Sequence, residues 1–223
     1  MTRMNLHGLG AIALAAFVAT GTLEAQGVAG KAFGTYVNAL GVTAQSPVAT
    51  LPSTGGMAVG DAQTFGVPSA LDARWLTAVT TGAVDDPEST AQSTSELENV
   101  SVLNGVITAD NVTAIASSYR DAAGAAASDA DGSGFVNLVV NGVAVTTDVA
   151  PNTRVDLPGV GYAVLNEQQR TGDGVTTSGM TVNMIHVVLQ TVTGGTCTPL
   201  GCLPAVTTTT GEIIVGSASS AVR

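Results

Sequence analysis

The hydrophobic pattern of this chain is that of strands rather than helices. Apolar side chains alternate with polar ones or form short runs, and glycine, proline, asparagine and aspartate separate the runs. Alternation with a period of two places every second side chain on one face of a strand. We therefore predict an all-β fold, either an antiparallel β-sandwich or a jelly-roll-like single domain.

Two Asn-Gly dipeptides give the firmest local predictions. Asn104-Gly105 divides the apolar residues 100–109, and Asn141-Gly142 divides residues 138–145. Asn-Gly accepts a positive φ at both central positions of a tight hairpin turn. Each segment is therefore predicted to form a β-hairpin.

Two more regions are predicted to form strands, with Pro and Gly at their boundaries. Residues 30–43 form an opening strand or strand pair that ends before a turn around Pro47. Residues 152–168 form two short strands around Pro158-Gly159, with Arg154 and Asp156 on the exposed side.

The longest apolar strand is predicted over residues 180–193, paired with residues 211–217 across an intervening loop. Asn183 and His186 interrupt it and are predicted to lie on opposite faces, since alternate residues of a strand face opposite sides.

Polar segments between these strands are predicted to be connections. Residues 51–56 read Leu-Pro-Ser-Thr-Gly-Gly and resemble a wall-sorting motif, but they lie far from the C-terminus and are interpreted as a Pro/Gly loop. Residues 80–99 are predicted to be a solvated acidic loop in which Asp86-Pro87 caps a helical turn. Residues 114–134 are predicted to be an exposed connection.

The first 25 residues have the organisation of a secretory signal peptide, with the cut predicted after Ala25. Arg3 and His7 precede an apolar stretch that is shorter than the roughly 20 residues a transmembrane helix needs. We expect two parts, a signal peptide at 1–25 and a single β-rich domain at 26–223. The mature chain is expected to lack a transmembrane segment and to be secreted, extracellular or associated with the cell surface.

The charge balance argues against nucleic acid as a partner. Loss of the leader leaves the net charge at −10, because Arg3 and Glu24 cancel. Lys31 is the only lysine and the arginines are scattered, whereas phosphate backbones need clustered basic side chains. We expect no nucleic-acid binding.

Asp129, Asp131 and Ser133 occupy the first, third and fifth positions of a calcium-loop pattern. The twelfth position, which should supply a bidentate glutamate, is Val140. We therefore prefer a turn leading into a strand over residues 135–140, with calcium binding here or at the acidic residues of 80–99 as the lesser alternative. No metal site or cofactor is predicted.

Cys197 and Cys202 are the only cysteines, and in an exported chain they are expected to form a disulfide. A zinc site would need further thiolate or imidazole ligands, and a dithiol redox pair is usually spaced by two residues. The bond would close a small loop and contribute about 2–3 kcal/mol in the chain-entropy picture.

No catalytic residues are predicted. His186 is the one histidine of the mature chain and would have to be the base of any Ser-His-Asp triad, but it lies in an apolar strand and no nucleophile motif accompanies it. Nothing singles out a pair of carboxylates for glycoside cleavage. We expect a protein that is not an enzyme.

Six short segments spread along the mature chain occur in the same order in a known family: residues 30–34, 103–110, 135–142, 158–161, 164–168 and 211–217. Through them the chain resembles the choice-of-anchor P family of exported bacterial proteins. The resemblance implies a surface protein with no assigned catalytic residues and a C-terminal attachment signal. Because the chain stops at Arg223 just after its last predicted strand, we expect free secretion or attachment through a partner.

Together these observations predict a structural or adhesive role at the bacterial surface or in the extracellular matrix. Partners would be surface or matrix components, or a second copy bound through strand edges. The alternative is a secreted glycan-binding module or a carboxylate-based glycoside hydrolase. A concave cleft lined by Trp75 or the tyrosines beside two facing carboxylates would favour that alternative.

Overall fold

The fold consists of strands alone. The computed structural model describes residues 27–145, 148–195, 197–198, 201–202 and 204–223, and every regular element within them is a β-strand. This confirms the predicted all-β class. The predicted signal peptide lies outside the described residues, and none of the described residues belongs to a helix able to span a membrane.

Six antiparallel strands form a first sheet, called sheet A, in whose centre the first and last strands lie side by side. The first strand pairs with the last, with Val28 opposite Val222. Gly27 and Arg223 add reciprocal backbone hydrogen bonds of 3.0 and 3.1 Å. In sheet order the strands are β11 (Thr153–Leu157), β12 (Gly161–Thr171), β13 (Ser178–Thr193), β16 (Val206–Val222), β1 (Val28–Ala39) and β2 (Val42–Leu51).

The second sheet, sheet B, is also antiparallel and has one strand, β6, that pairs with several short strands on one side. In sheet order its strands are β10 (Val143–Ala144), β9 (Val139–Val140), β6 (Ile107–Arg120), β5 (Glu88–Val102), β4 (Leu71–Asp85) and β3 (Gly56–Val67), and β7 (Ala126–Asp129) and β8 (Gly134–Val136) also pair with β6. A separate two-stranded ladder contains β14 (Cys197–Thr198) and β15 (Gly201–Cys202).

The two sheets pack face to face, which confirms the predicted antiparallel β-sandwich. The chain forms β1 and β2 in sheet A, crosses to sheet B for β3 to β10, and returns to sheet A, where β16 closes beside β1. The core between the sheets includes Leu76, Leu97 and Ile107 from sheet B and Met184 and Ile185 from sheet A, all at most 1% exposed.

In a regular strand, every second side chain faces the core. In sheet A this pattern shifts by one residue along a single row that crosses the strands. In β1 the inward residues have even numbers up to position 32 and odd numbers from position 35 onward, and the neighbouring strands change in the same way. The pairing register is unbroken across the row, since Phe33 faces Ser217 and Thr35 faces Val215. We call this row the crease; its members are Asn166, Met184, Gly216 and Gly34.

Two glycines let sheet B pack directly on the crease. Gly216 has a φ of +66°, and a Cβ there would lie 2.9 Å from the Cγ1 atom of Val112 on β6. At Gly34 a Cβ would lie 2.9 Å from the Cδ2 atom of Leu76 on β4. Any side chain at these positions would push the sheets apart, and at Gly216 the left-handed backbone adds strain.

Sheet B inverts its own alternation where it faces the crease. Its strands place consecutive residues outward at 63–64, 74–75, 98–99 and 110–111. Trp75 and Asn99 have positive φ angles of 48° and 50° there, and Trp75 is 58% exposed. A bulge of this kind bends and twists a strand, so both sheets change direction at the same level.

Residues 80–99 are strands, so the predicted acidic loop and its helical cap are wrong. Most of the segment belongs to β4 and β5, and only Asp86 and Pro87 lie between them. The acidic residues of β5 face solvent, whereas the alternating inward positions hold small residues such as Ser93 and Ser95. Because serine occupies the inward positions, the sequence of this strand reads as polar throughout, although every second residue is buried.

Residues 114–134 are also not the exposed connection that was predicted. β6 continues to Arg120 with alternate side chains buried, and β7 follows. Hydroxyl pairs join the sheets inside the sandwich, with Ser118 Oγ 2.8 Å from Ser220 Oγ and Ser128 Oγ 2.9 Å from Ser178 Oγ. These mutual hydrogen bonds allow polar side chains to be buried.

The turn around Pro47 is a further correction, because Pro47 lies within β2. β2 is the last strand of sheet A, and proline within sheets is confined mainly to such edge strands. The turn between β1 and β2 lies instead at Leu40 and Gly41.

The strand predicted over residues 135–140 is divided into β8 and β9. Both Asn-Gly hairpins, the strand pair around Pro158-Gly159 and the pairing of the two last long strands are confirmed. Val102 faces Ile107 across the first Asn-Gly turn, and Val140 faces Val143 across the second, where Asn141 also has a positive φ. β11 pairs with β12 around the Pro-Gly turn, and β13 pairs with β16.

We expect the substitution Gly216→Ala to lower the free energy of unfolding by about 1–3 kcal/mol, through strain at positive φ and the clash with Val112. Urea unfolding followed by Trp75 fluorescence measures this. Gly134→Ala is the control, because a Cβ there meets no atom within 4 Å and its φ is not in the left-handed region. Equal losses for the two variants would contradict the role assigned to the crease.

Candidate functional site

A polar cluster occupies the outside of sheet A next to the crease. It contains Glu167 on β12, Asn183 and His186 on β13, and Ser217 and Glu212 on β16. The prediction that Asn183 and His186 face opposite sides is wrong. The inversion at the crease turns both side chains outward although they are three residues apart.

The cluster is a continuous chain of contacts. Ser217 Oγ donates to Asn183 Oδ1 at 2.7 Å, and Asn183 Nδ2 donates to Glu167 Oε2 at 2.7 Å. The same carboxylate oxygen lies 3.0 Å from His186 Nδ1, and His186 Nε2 lies 3.5 Å from Glu212 Oε2. The side chains of His186 and Glu167 are 19% and 16% exposed, so their pair is largely shielded from solvent.

Glu167 and His186 shift each other's pKa. The hydrogen bond with His186 lowers the pKa of Glu167, burial opposes this shift, and the hydrogen bond from Asn183 adds to it. The hydrogen bond with Glu167 raises the pKa of His186, burial opposes it, and the charges of Glu167 and Glu212 add to the rise. The arrangement therefore favours a protonated imidazole between two carboxylates.

The contacts in this cluster do not form a nucleophile–base pair. Ser217 Oγ donates to the amide of Asn183, and both ring nitrogens of His186 face carboxylates. An activated serine would need its hydroxyl within hydrogen-bond reach of the histidine. The chemistry that this geometry supports is the holding of a proton between Glu167 and Glu212, which ties together three strands.

The calcium-loop residues form a compact turn. Asp129 Oδ1 accepts a hydrogen bond from the Asp131 amide at 3.2 Å. Ser133 Oγ accepts from the Ile115 amide at 2.8 Å and donates to the Ile115 carbonyl at 3.1 Å. Ser133 therefore fixes the turn to β6. Across the described residues, no group of three or more His, Cys, Asp or Glu is arranged to hold a metal ion.

Aromatic side chains lie on both outer faces of the sandwich. Tyr36 and Tyr162 are partly buried on the outside of sheet A, and the Arg154 guanidinium stacks 3.7 Å from the Tyr162 ring centre. Trp75 lies on the outside of sheet B. The structure therefore places the tryptophan and these tyrosines on opposite sides, and they do not line a common cleft.

A two-stranded extension, called the ribbon, projects beyond the rest of sheet A. It consists of residues 190–193 of β13 paired with residues 206–209 of β16. A register shift after Leu189 leaves Thr210 as an extra residue where the ribbon begins. Val192 and Val206 are 64% and 55% exposed, so the ribbon is solvated on both faces.

The two cysteines face each other at the end of the ribbon. Backbone pairing places Cys197 directly opposite Cys202 in the ladder of β14 and β15. Directly opposed residues of antiparallel strands have Cα atoms about 4.5–5.5 Å apart, a separation that a disulfide can bridge. Their side chains lie outside the described residues, so the disulfide stays a prediction.

Sequence reasoning identified His186 and Asn183 but missed Glu167, Glu212 and Ser217. The pairing of β12, β13 and β16 brings these side chains together, and strand order cannot be read from one sequence. A usable signal was Gly216, because a glycine inside a strand pattern often marks a bulge.

Comparisons with known proteins give one family match. A family model described as a domain of unknown function (DUF8256) matches residues 22–184 of this chain. The match begins at residue 22, before β1, and ends at the crease residue Met184 of β13. No curated protein and no solved structure is found to match the chain.

We expect the cluster to stabilise the fold most between about pH 4.5 and 6.5. The raised pKa of His186 means that its stabilisation is complete below the usual 6.5 and is lost as the pH rises through the folded-state value. The lowered pKa of Glu167 means that its share is complete above 4.5 and is lost as the pH falls through the folded-state value.

His186→Gln should therefore cost about 1–2 kcal/mol within this window and less at higher pH. Urea unfolding of both proteins from pH 4 to 9 gives the difference. Arg154→Gln is the control: it removes an exposed ion pair with Asp156 and the stacking on Tyr162 but leaves the Glu167–His186 pair intact, so its cost should not follow the same pH dependence. A penalty for His186→Gln that stays constant up to pH 9 would refute the proton-sharing role.

If the predicted disulfide is present, Cys197 and Cys202 should not react with a thiol reagent when the protein is unfolded in urea without a reductant. Both should react after reduction, and mass spectrometry counts the labels. Labelling of the exported chain without reduction would show free thiols and refute the bond.

Proposed function

The chain belongs to the family described as Domain of unknown function (DUF8256), and we propose that it is an exported structural or adhesive module of the bacterial surface or extracellular matrix. The observation that carries this proposal is the ribbon. The ribbon extends beyond the sandwich, and its backbone edges and both of its faces, which carry uncharged side chains, are exposed. Free strand edges bind other strands through main-chain hydrogen bonds.

The remaining edges of the sandwich support the same role. The edge strands β10 and β11 are two and five residues long. At the other side, β2 and β3 approach so closely that a Cβ at Gly60 would lie 2.7 Å from the Val48 carbonyl oxygen. Short or covered edges prevent uncontrolled pairing, which makes the exposed ribbon stand out as a place for contact.

The polar cluster also supports a non-catalytic role. The hydrogen bonds of Ser217, Asn183 and Glu167 are made within the cluster. His186 lies between two carboxylates across sheet A: its Nδ1 atom is 3.0 Å from Glu167, and its Nε2 atom makes no hydrogen bond but lies 3.5 Å from Glu212. Such a linkage suits a rigid module. The leader pattern and the resemblance to the choice-of-anchor P family are the sequence observations behind the proposed export and surface location.

A glycan-binding or glycoside-hydrolysing protein is the second candidate. Tyr36 and Tyr162 lie on the same outer face as Glu167 and Glu212, and aromatic rings beside carboxylates suit a sugar ligand. Against it, both carboxylates are engaged by His186.

Expression of the full chain in an exporting bacterial host tests the proposal. The protein should fractionate with the medium, surface or matrix, and its N-terminal sequence should begin at Gln26. A cytosolic chain that keeps its leader would contradict export.

The same protein should hydrolyse no polysaccharide on a panel of glycan substrates. Glycan hydrolysis that is abolished in Glu167→Gln and retained in Glu88→Gln, an exposed glutamate on sheet B, would instead establish the second candidate.

A further inference from the structure

The ribbon has a free edge of defined length on the side of β16. β1 pairs with β16 only as far as Asn38 opposite Glu212, so among the residues that the structure describes no strand pairs with β16 on that side beyond this point. Pro204 has no amide hydrogen to donate, and Thr210 is the extra residue of the register shift. The edge that can accept another strand is therefore the five residues 205–209, with Thr207 at its middle.

Charge separates this edge from the rest of the molecule. No charged residue occurs from Leu189 to Gly211, while the chain as a whole has a net charge of −10. Two copies of the protein repel each other over most of their surfaces. The ribbon is where a second copy can approach without placing like charges together.

The ribbon also has physical reasons to acquire a partner. A two-stranded ladder without a further strand or packed layer is marginally stable in water. Val192 and Val206 are exposed on it, and Leu40, at the adjoining β1–β2 turn, is 64% exposed. Burial of these side chains and of the free backbone groups would stabilise it.

We propose that residues 205–209 pair antiparallel with the same residues of a second copy, about a two-fold axis through Thr207. Thr207 then faces Thr207 of the second copy, and Val206 faces Thr208. The two ribbons form one uncharged four-stranded sheet, and the two sandwiches lie at opposite ends of it. The inference rests on the proposed structural role and names the partner and the contact for it.

Charge substitutions at the axis test this pairing. In Thr207→Lys two lysines face each other, and in Thr207→Glu two glutamates do, and like charges directly opposite each other destabilise strand pairs. Light scattering of the exported chain over a concentration series should show a dimer for the original sequence. Each variant alone should weaken the dimer by about tenfold or more, as charged residues on edge strands do.

An equal mixture of the two variants should restore the dimer, because lysine then faces glutamate. Thr90→Lys is the control, since Thr90 is exposed on β5 of sheet B and adds the same charge away from the ribbon. It should dimerise as the original chain does. Restoration in the mixture also shows that both variants fold.

Three results would overturn the inference: a monomer at the highest concentration, a dimer unaffected by either variant, or a mixture that stays monomeric. None of them bears on export or on the absence of glycan hydrolysis. A monomer that is exported and inactive on glycans would leave the proposed function standing without self-association. A cytosolic chain that dimerises through the ribbon would contradict the proposed export and leave the strand pairing standing.

Discussion

The structure depends on a coordinated change in which side chains face inward. A strand shifted by one residue sends its whole apolar set to the wrong face, so an isolated shift would break the core. Here the strands of sheet A shift at the same level, and sheet B shifts where it faces them. The ladder of hydrogen bonds survives because every neighbour makes the same change.

The crease also produces the polar cluster. Without it, Asn183 and His186 would face opposite sides of β13, and one of them would be buried in the core without Glu167. With it, both reach the outside and contact the same carboxylate. The two glycines of the crease, on the inner face of sheet A, and the contacts of His186 with Glu167 and Glu212, on the outer face, are therefore parts of one arrangement.

The sequence permitted prediction of features that depend on local chemistry. The two Asn-Gly hairpins, the Pro-Gly turn and the longest apolar strand follow from backbone preferences and burial within a few residues. Residues 80–99 and 114–134 were predicted to be loops because serine and alanine, rather than large apolar residues, fill their inward positions between the two sheets. The cluster was missed because Glu167 and Ser217 reach His186 and Asn183 only through the strand order. The crease was missed because it is a property of four strands together, and no single strand reveals it.

The pairing of β1 with β16 places residues 27 and 223 side by side at one end of the sandwich, while the ribbon leaves from the other end of β16. A tether at either terminus would hold the molecule at the same point and direct the ribbon away from the attachment surface. The central ladder of sheet A also requires β16, which follows every other strand of the sandwich in the sequence, so the two halves of sheet A cannot join until β16 is in place.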